Sequence, residues 1–334
     1  MVYLFDSNAY GFCSPIFQSH SIHLFPVLTM KKFLKYIIVF SLIYLVLHVM
    51  VVISVGPLVT YYRIGSAGQM FNRVKDIPNH HGPDVLFIGS SHTYRGFDTR
   101  LFEKAGYKSF NLGSSAQTPM QTELLLHRYL DEINPKSIVF EVYHVLFQSD
   151  GIESTADLIS NDHIDMEICK MAFKSGNVKL INTLIYGIYQ EYFRSIREKC
   201  KATDTIGDDV YVSGGYVEKL SHDPFVPDST VSSNVFKMNP RQLKAFSHCV
   251  GLAKEKGIPF LLVNTPLPQS TKTNLGNMET FDETMSSIGI YLNFSELMQL
   301  DDFCFYDANH LNQNGVELFN RRLIQVMDSL RFLD

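Results

Sequence analysis

Two short stretches hold side chains whose types and spacing suit acyl chemistry. One is "IGSSH", residues 88 to 92, where an apolar run ends on glycine and two adjacent serines. The other is "DANH", which sets Asp307 three residues before His310. In a turn, that second spacing lets a carboxylate accept from one imidazole nitrogen while the other nitrogen faces outward, a base carried together with its orienter. A serine hydroxyl placed against the outward nitrogen is the nucleophile such a pair activates. Each stretch also has a plainer reading. Ser90 or Ser91 would cap the helix that follows, and Asp307 would cap a surface turn. Ser91, Asp307 and His310 become a catalytic set only if the fold brings them together.

The elements that must position them follow an alternating rhythm. "DVLFIG" (84 to 89), "KSFNLG" (108 to 113), "KSIVFEVYHVLF" (136 to 147) and "IPFLLVNT" (258 to 265) read as strands. Between and after them, "DTRLFEKAG" (98 to 106), "PMQTELLLHRYLDEIN" (119 to 134), "PRQLKAFSHCVGLAKEKG" (240 to 257), "METFDETMSSIG" (278 to 289) and residues 314 to 333 read as helices. Strands separated by helices pair in parallel, which predicts a three-layer α/β/α, flavodoxin-like sheet. Ligands bind at the carboxyl ends of such strands, and Gly89, Ser90 and Ser91 stand at one of them. Residues 157 to 201 turn helical and 202 to 236 polar, so an inserted helical pair and a long loop or lid are expected over about 157 to 236.

A charge-free run from Tyr36 to Val59 is long enough to cross a bilayer as a helix. It is longer than the apolar part of a signal peptide and lacks a small-residue cleavage site. Lys31, Lys32 and Lys35 precede it and only Arg63 closely follows, which predicts a single-pass anchor over 33 to 59 with the N-terminus cytoplasmic and the bulk of the chain outside. Residues 1 to 29 read as an overextended start or a disordered tail. The expected catalytic domain covers 82 to 334.

From Ile64 onward 25 Lys and Arg face 33 Asp and Glu with no basic block, which argues against nucleic acid as a partner. Neither the cysteines nor the histidines have metal-ligand spacing; His80 and His81, for example, are adjacent in a loop. No metal or other cofactor is expected. Apart from Cys13, the cysteines Cys169, Cys200, Cys249 and Cys304 would pair in one of three ways in an oxidising compartment, or stay as buried free thiols. His92, next to the serines, is read as a supporting residue rather than the base, because adjacent side chains aim poorly at one another. Glu141 is expected to bond within the crevice, and Asn264, Pro266 and Pro268 to form its wall.

Taken with their order, these stretches resemble the SGNH, or GDSL-like, hydrolase superfamily. "IGSSH" is similar to the nucleophile block, with Ser91 in the serine position and Ser90 where many members carry Asp. "FNLGSSAQTP" resembles the second block, which puts an oxyanion-hole backbone N–H on Gly113, beside that of Ser91. "DANH" resembles the last block. The third block departs: "FEVYHVLF" stands where Gly-x-Asn-Asp is expected, leaving the family's oxyanion asparagine without a counterpart. Asn111, Gln117, Tyr143 and His144 are the side chains that would replace it, each with a structural reading as the alternative.

The resemblance spans about Asp84 to Leu333 apart from the stretch 157 to 236. With the anchor, it is nearest in character to the membrane-attached branch that includes the proteins of teichoic acid D-alanylation and alginate acetylation. It implies an extracytoplasmic esterase or O-acyltransferase working on acyl esters of cell-envelope glycans, without a cofactor, with a multi-pass membrane acyltransferase as a candidate partner. The other reading is a degenerate relative that binds a glycan or a partner protein without turnover.

Overall fold

The computed structural model describes residues 27–65, 68–220, 236–274 and 278–333. The leader up to residue 26, with Cys13, and the end of the expected insert, 221 to 235, lie outside the described residues. Two compact units divide the chain, Met1–Met50 and Val51–Asp334. The first holds most of one apolar helix, α1 (Val27–Val59), whose Met30–Val59 stretch has a mean hydropathy of 2.7 and is long and apolar enough to cross a membrane. Its final turn belongs to the second unit and follows a break in helical geometry at Val55, two residues before Pro57.

The second unit is built on a five-stranded, fully parallel sheet in the order β2-β1-β3-β7-β8. Its strands are β1 (Val85–Ile88), β2 (Ser109–Asn111), β3 (Ser137–Glu141), β7 (Phe260–Asn264) and β8 (Tyr291–Asn293). This is a three-layer α/β arrangement with flavodoxin-like order, as the alternation predicted. Every residue of β1 is buried because both faces are covered. Leu86 and Ile88 join a core with Leu125 of α5 (Pro119–Ile133) and Phe246 of α10 (Pro240–Glu255). Val85 and Phe87 join the opposite core with Phe102 of α4 (Thr99–Lys104) and Phe319 of α14 (Gln313–Ser329).

The expected helix boundaries hold to within a few residues because capping residues set them. Pro119 opens α5 behind a Thr118/Gln121 capping box, and Asn239 and Asn312 cap α10 and α14. Two features differ from the expectation. The third strand stops at Glu141 rather than running to Phe147, since the chain turns into a 3-10 helix at His144–Phe147. The fifth strand, β8, is a three-residue, half-buried edge too short to show a periodicity.

The insert also differs from a helical pair followed by a loop. It contains α6 (Ile152–Asn161), α7 (Met166–Lys174), α8 (Val178–Ile188), a π-helical turn at Tyr189–Phe193 and the short α9 (Ile196–Lys199). Part of the stretch expected as loop forms a three-stranded antiparallel sheet of β4 (Thr205–Ile206), β5 (Asp209–Val212) and β6 (Tyr216–Lys219). Gly214, at φ 91°, supplies the turn between β5 and β6, and its carbonyl accepts the Asn111 N–H at 2.7 Å, so this small sheet buttresses the β2 edge. Cys169, Cys200, Cys249 and Cys304 are all free thiols, the last two buried.

Candidate active site

The crevice lies outside the carboxyl ends of β1 and β3, where the strand order switches direction. Beyond Ile88 the chain passes through Gly89 directly into α3 (Ser91–Gly96). A side chain at Gly89 would stand 2.6 Å from Glu141 Oε2 and 2.5 Å from Thr93 Oγ1, so only glycine fits. The two serines divide their tasks. Ser90 is buried and caps α3, its hydroxyl accepting the His92 N–H at 3.2 Å. Ser91, the first residue of the helix, is half-buried and turns its hydroxyl to His310, with Oγ 2.7 Å from Nε2. Ser90 therefore fills the capping role, and Ser91 is the serine that faces the imidazole.

The base arrives on the loop before α14. Phe305 and Leu311 form an antiparallel bridge, and the Tyr306 N–H donates to the His310 carbonyl at 3.1 Å, pinching residues 306 to 310 into a tight turn. Inside it Asp307 Oδ1 accepts the N–H groups of Asn309 and His310 at 2.9 and 2.8 Å. The same carboxylate holds His310 Nδ1, at 2.8 Å to Oδ2 and 3.0 Å to Oδ1. Gly315 lets α14 pack directly against the Cys304 carbonyl and Leu311, which seats this turn on the domain. A continuous relay results, Asp307 to His310 to Ser91, across 219 residues of sequence.

Electrostatics favour that direction of proton flow. Burial pushes the Asp307 carboxyl up, but the His310 hydrogen bond and charge and the two N–H donors outweigh it, and its pKa falls below the usual carboxylate value. It is thus ionised at neutral pH. His92 is kept neutral chiefly by complete burial and secondarily by His310; its Nδ1 bonds Thr265 Oγ1 at 2.8 Å. Its ring lies edge-on to His310 at 5.1 Å and stacks on Tyr143 at 4.2 Å. A neutral ring there adds no cation beside His310. His92 is a supporting residue, not a second base.

The groups expected to bind an oxyanion fare differently. Ser91 heads α3, so its N–H has no intrahelical acceptor and is aimed out of the helix start. The Gly113 N–H donates to Asn111 Oδ1 at 3.1 Å and is engaged within its own loop. Asn111 spends its amide on the Thr93 and Phe97 carbonyls, at 2.8 and 3.3 Å. Gln117 accepts from Ser114 and donates to Thr122, both at 2.9 Å. Tyr143 stacks on His92, and burial raises its hydroxyl to about 12. His144 packs edge-on against Phe236 and Phe281, and burial lowers it to about 4. The buried scaffold thus spends Asn111 on backbone carbonyls and Gln117 on neighbouring hydroxyls, whereas His144 Nδ1 is buried with no hydrogen-bond partner among the described residues. The same loop holds Ala116 at φ 47°, an uncommon conformation for a residue with a Cβ, packed against Tyr143, Leu146 and Leu267.

Two supports tie the site to other elements, one of them the Glu141 expected to bond within the crevice. Glu141, at the end of β3, is buried beneath the nucleophile turn, where Oε2 accepts the Ser90 N–H at 2.8 Å, and burial raises its carboxyl to about 7. Arg95, one helical turn after Ser91, pairs bidentately with Asp209 of β5 at 2.9 Å for both bonds. Its guanidinium also lies over the Tyr306 ring at 5.6 Å, and that ring stacks on His310 within 5° of parallel. The small sheet is thereby linked to the base. Asn264 joins the ends of β7 and β8 through Asn293 at 3.1 Å. An alternation of polar and apolar residues in "DDVYV" and "GYVEK" was the one sequence signal for the small sheet.

No family model matches the chain, and no curated protein matches it. Solved structures similar to it include a proposed acylhydrolase from Bacteroides fragilis, at 12% identity and TM-score 0.38, covering 78% of this chain and 95% of that one. Another is a GDSL-like lipase from Bacteroides thetaiotaomicron, at 12% identity and TM-score 0.39, covering 79% of this chain and 100% of that one.

Proposed function

We propose that this chain is a membrane-anchored serine acyl-ester enzyme of the SGNH type, working outside the cytoplasm as an esterase or O-acyltransferase on acyl esters of cell-envelope glycans. The observation that carries this reading is the relay itself: Ser91 Oγ at 2.7 Å from His310 Nε2, and His310 Nδ1 at 2.8 Å from Asp307. Surface turns do not converge in this way by capping alone. In the reaction, Ser91 Oγ attacks the ester carbonyl as His310 takes its proton, and the oxyanion forms against the Ser91 N–H. A second donor is required, and the strained Ala116 segment is the part of the second-block loop best suited to give it. Collapse of the tetrahedral species expels the alcohol, which takes the proton back from His310, leaving an acyl-Ser91 ester. His310 then deprotonates water for hydrolysis, or a sugar hydroxyl for transfer, and free Ser91 returns.

The Lys31, Lys32 and Lys35 cluster supports a cytoplasmic N-terminus, and the anchor suits an enzyme that shares a membrane with a multi-pass acyltransferase. The second reading, glycan or partner binding without turnover, is favoured by one finding: Asn111 and Gln117, two of the side chains put forward to replace the missing asparagine, spend their amides within the scaffold. A fluorophosphonate probe applied to the full chain in lipid nanodiscs decides between them. Labelling of the native chain that disappears in Ser91→Ala supports the enzyme; an unlabelled native chain with the fold intact supports the binding protein.

A further inference from the structure

The catalytic unit carries an aromatic surface at the point where the apolar helix joins it. The last turn of α1 is packed on α8: the Tyr186 ring lies so close to Gly56 that a side chain there would overlap it. The Val59 carbonyl accepts from Asn182 Nδ2 at 3.3 Å, and the Tyr61 N–H donates to Thr183 Oγ1 at 2.8 Å. Lys179 sits over the Tyr61 ring at 4.2 Å, and Tyr62 meets Tyr186 edge-on at 5.4 Å. These contacts attach α8 to the final residues of the stretch that is long enough to cross a membrane, Met30–Val59.

From Tyr186 the rings continue away from that junction. Tyr189 follows at 6.3 Å and Phe193 stacks on Tyr189 at 6.1 Å, within the π-helical turn. At the end of this series the adjacent rings Tyr192 and Phe193 are 65% and 76% exposed. Leu58, in the last turn of α1, is 81% exposed on the same junction. Tyr and other aromatic rings are enriched where hydrocarbon meets headgroups, since the ring body is apolar and a polar tip stays wet. With about 1.5 Å of rise per residue, Gly56 stands within roughly one helical turn of the end of the apolar run. Its partner Tyr186 is therefore held at the edge of any bilayer that run crosses.

We propose that the turn Tyr189–Phe193, with Tyr192 and Phe193 outermost, is an interfacial docking surface that seats the catalytic unit on the lipid bilayer beside its own anchor. The occupant is the headgroup and upper acyl region of the membrane, which removes Phe193 from water and restrains the unit near one face of the bilayer. This rests on α1 crossing the membrane, a part of the function proposed above.

The chain contains no tryptophan, so Phe193→Trp creates a single emitter at the tip of the surface. The full chain carrying it is reconstituted in phosphatidylcholine vesicles and first floated on a density gradient. Tryptophan emission is then measured with lipids brominated near the top of the acyl chain and with aqueous acrylamide. Phe303→Trp, at a 62% exposed position in the loop before the catalytic base, serves as the comparison. The expected result for Phe193→Trp is a blue-shifted indole that loses most of its emission to brominated lipid and less to acrylamide than the indole of Phe303→Trp does. Flotation with the Phe193→Trp indole open to acrylamide and untouched by brominated lipid overturns the docking surface while leaving the anchor standing. Flotation with that indole shielded from both quenchers places a protein there instead, a second copy or a partner, and equally overturns it. Failure to float removes the anchor and this surface together.

Discussion

The two halves of the Asp307–His310–Ser91 relay are held in opposite ways. The nucleophile half is buried and supported from afar: Ser90 is 1% exposed, and its N–H is fixed by Glu141, 51 residues away on a neighbouring strand. The base half is open and supported locally. The Asp307 side chain is 42% exposed, and its partners Asn309 and His310 lie within three residues of it. Serine must meet the carbonyl from one direction only, so its turn is locked into the sheet. The imidazole must receive and return a proton, and a compact turn with a stacked Tyr306 permits that with little buried charge.

Variants can break or sharpen this contrast. Ser91→Ala should have the largest effect, a fall in kcat/KM on a chromogenic acetate ester of about 10⁴- to 10⁶-fold, because nothing else at the crevice carries the acyl group. Near-full activity in that variant would end the catalytic assignment. Asp307→Asn should cost about 10²- to 10⁴-fold: the amide still packs in the turn but no longer stabilises the imidazolium. Steady-state kinetics at matched pH check the ranking, and a loss equal to that of Ser91→Ala would show that the base half is as tightly coupled as the nucleophile half.

Glu141→Gln probes the buried half through stability. The carboxyl rises from its ordinary 4.5 to about 7 in the folded chain, so the native state binds the proton more tightly than the unfolded one. Stability from this group is complete below pH 4.5 and is lost as pH climbs to 7, by about 3 kcal/mol over the window. The difference in unfolding free energy between native chain and variant, measured by denaturant titration across that window, should follow that slope while the opposing terms from His92 and His144 cancel. A difference that does not change with pH would mean Glu141 stays in one protonation state. The smallest effect belongs to Ser90→Ala, about 1 kcal/mol from the lost helix cap with activity within about tenfold of native. A loss matching Ser91→Ala would assign the nucleophile to the wrong serine.

Local chemistry was the readable part of this chain. The strands β1, β3 and β7 were legible because both of their faces are covered, which writes a continuous apolar run into the sequence. The Asp307 and His310 pair was legible because its geometry is made within a single turn. Glu141 was legible only as a residue that bonds within the crevice, and Arg95 and Tyr306 not at all, since their partners cross over from another element: a helix start above a strand end, an ion pair to β5, a guanidinium over the Tyr306 ring. Among the oxyanion candidates, the partners of Asn111 and Gln117 were not legible either, for the related reason that a polar residue near a crevice is as readily consumed by the groups around it.

By itself the sequence determined the alternation that folds into a parallel sheet, the apolar run at the front, and the identity of a serine, a histidine and an aspartate able to form a relay. Only the tertiary structure decided which of two adjacent serines faces the imidazole, and that a buried carboxyl and a small second sheet hold the two halves in register. Side-chain periodicity is encoded residue by residue along the chain, whereas distances between side chains 219 residues apart are fixed only when the sheet and its flanking helices pack.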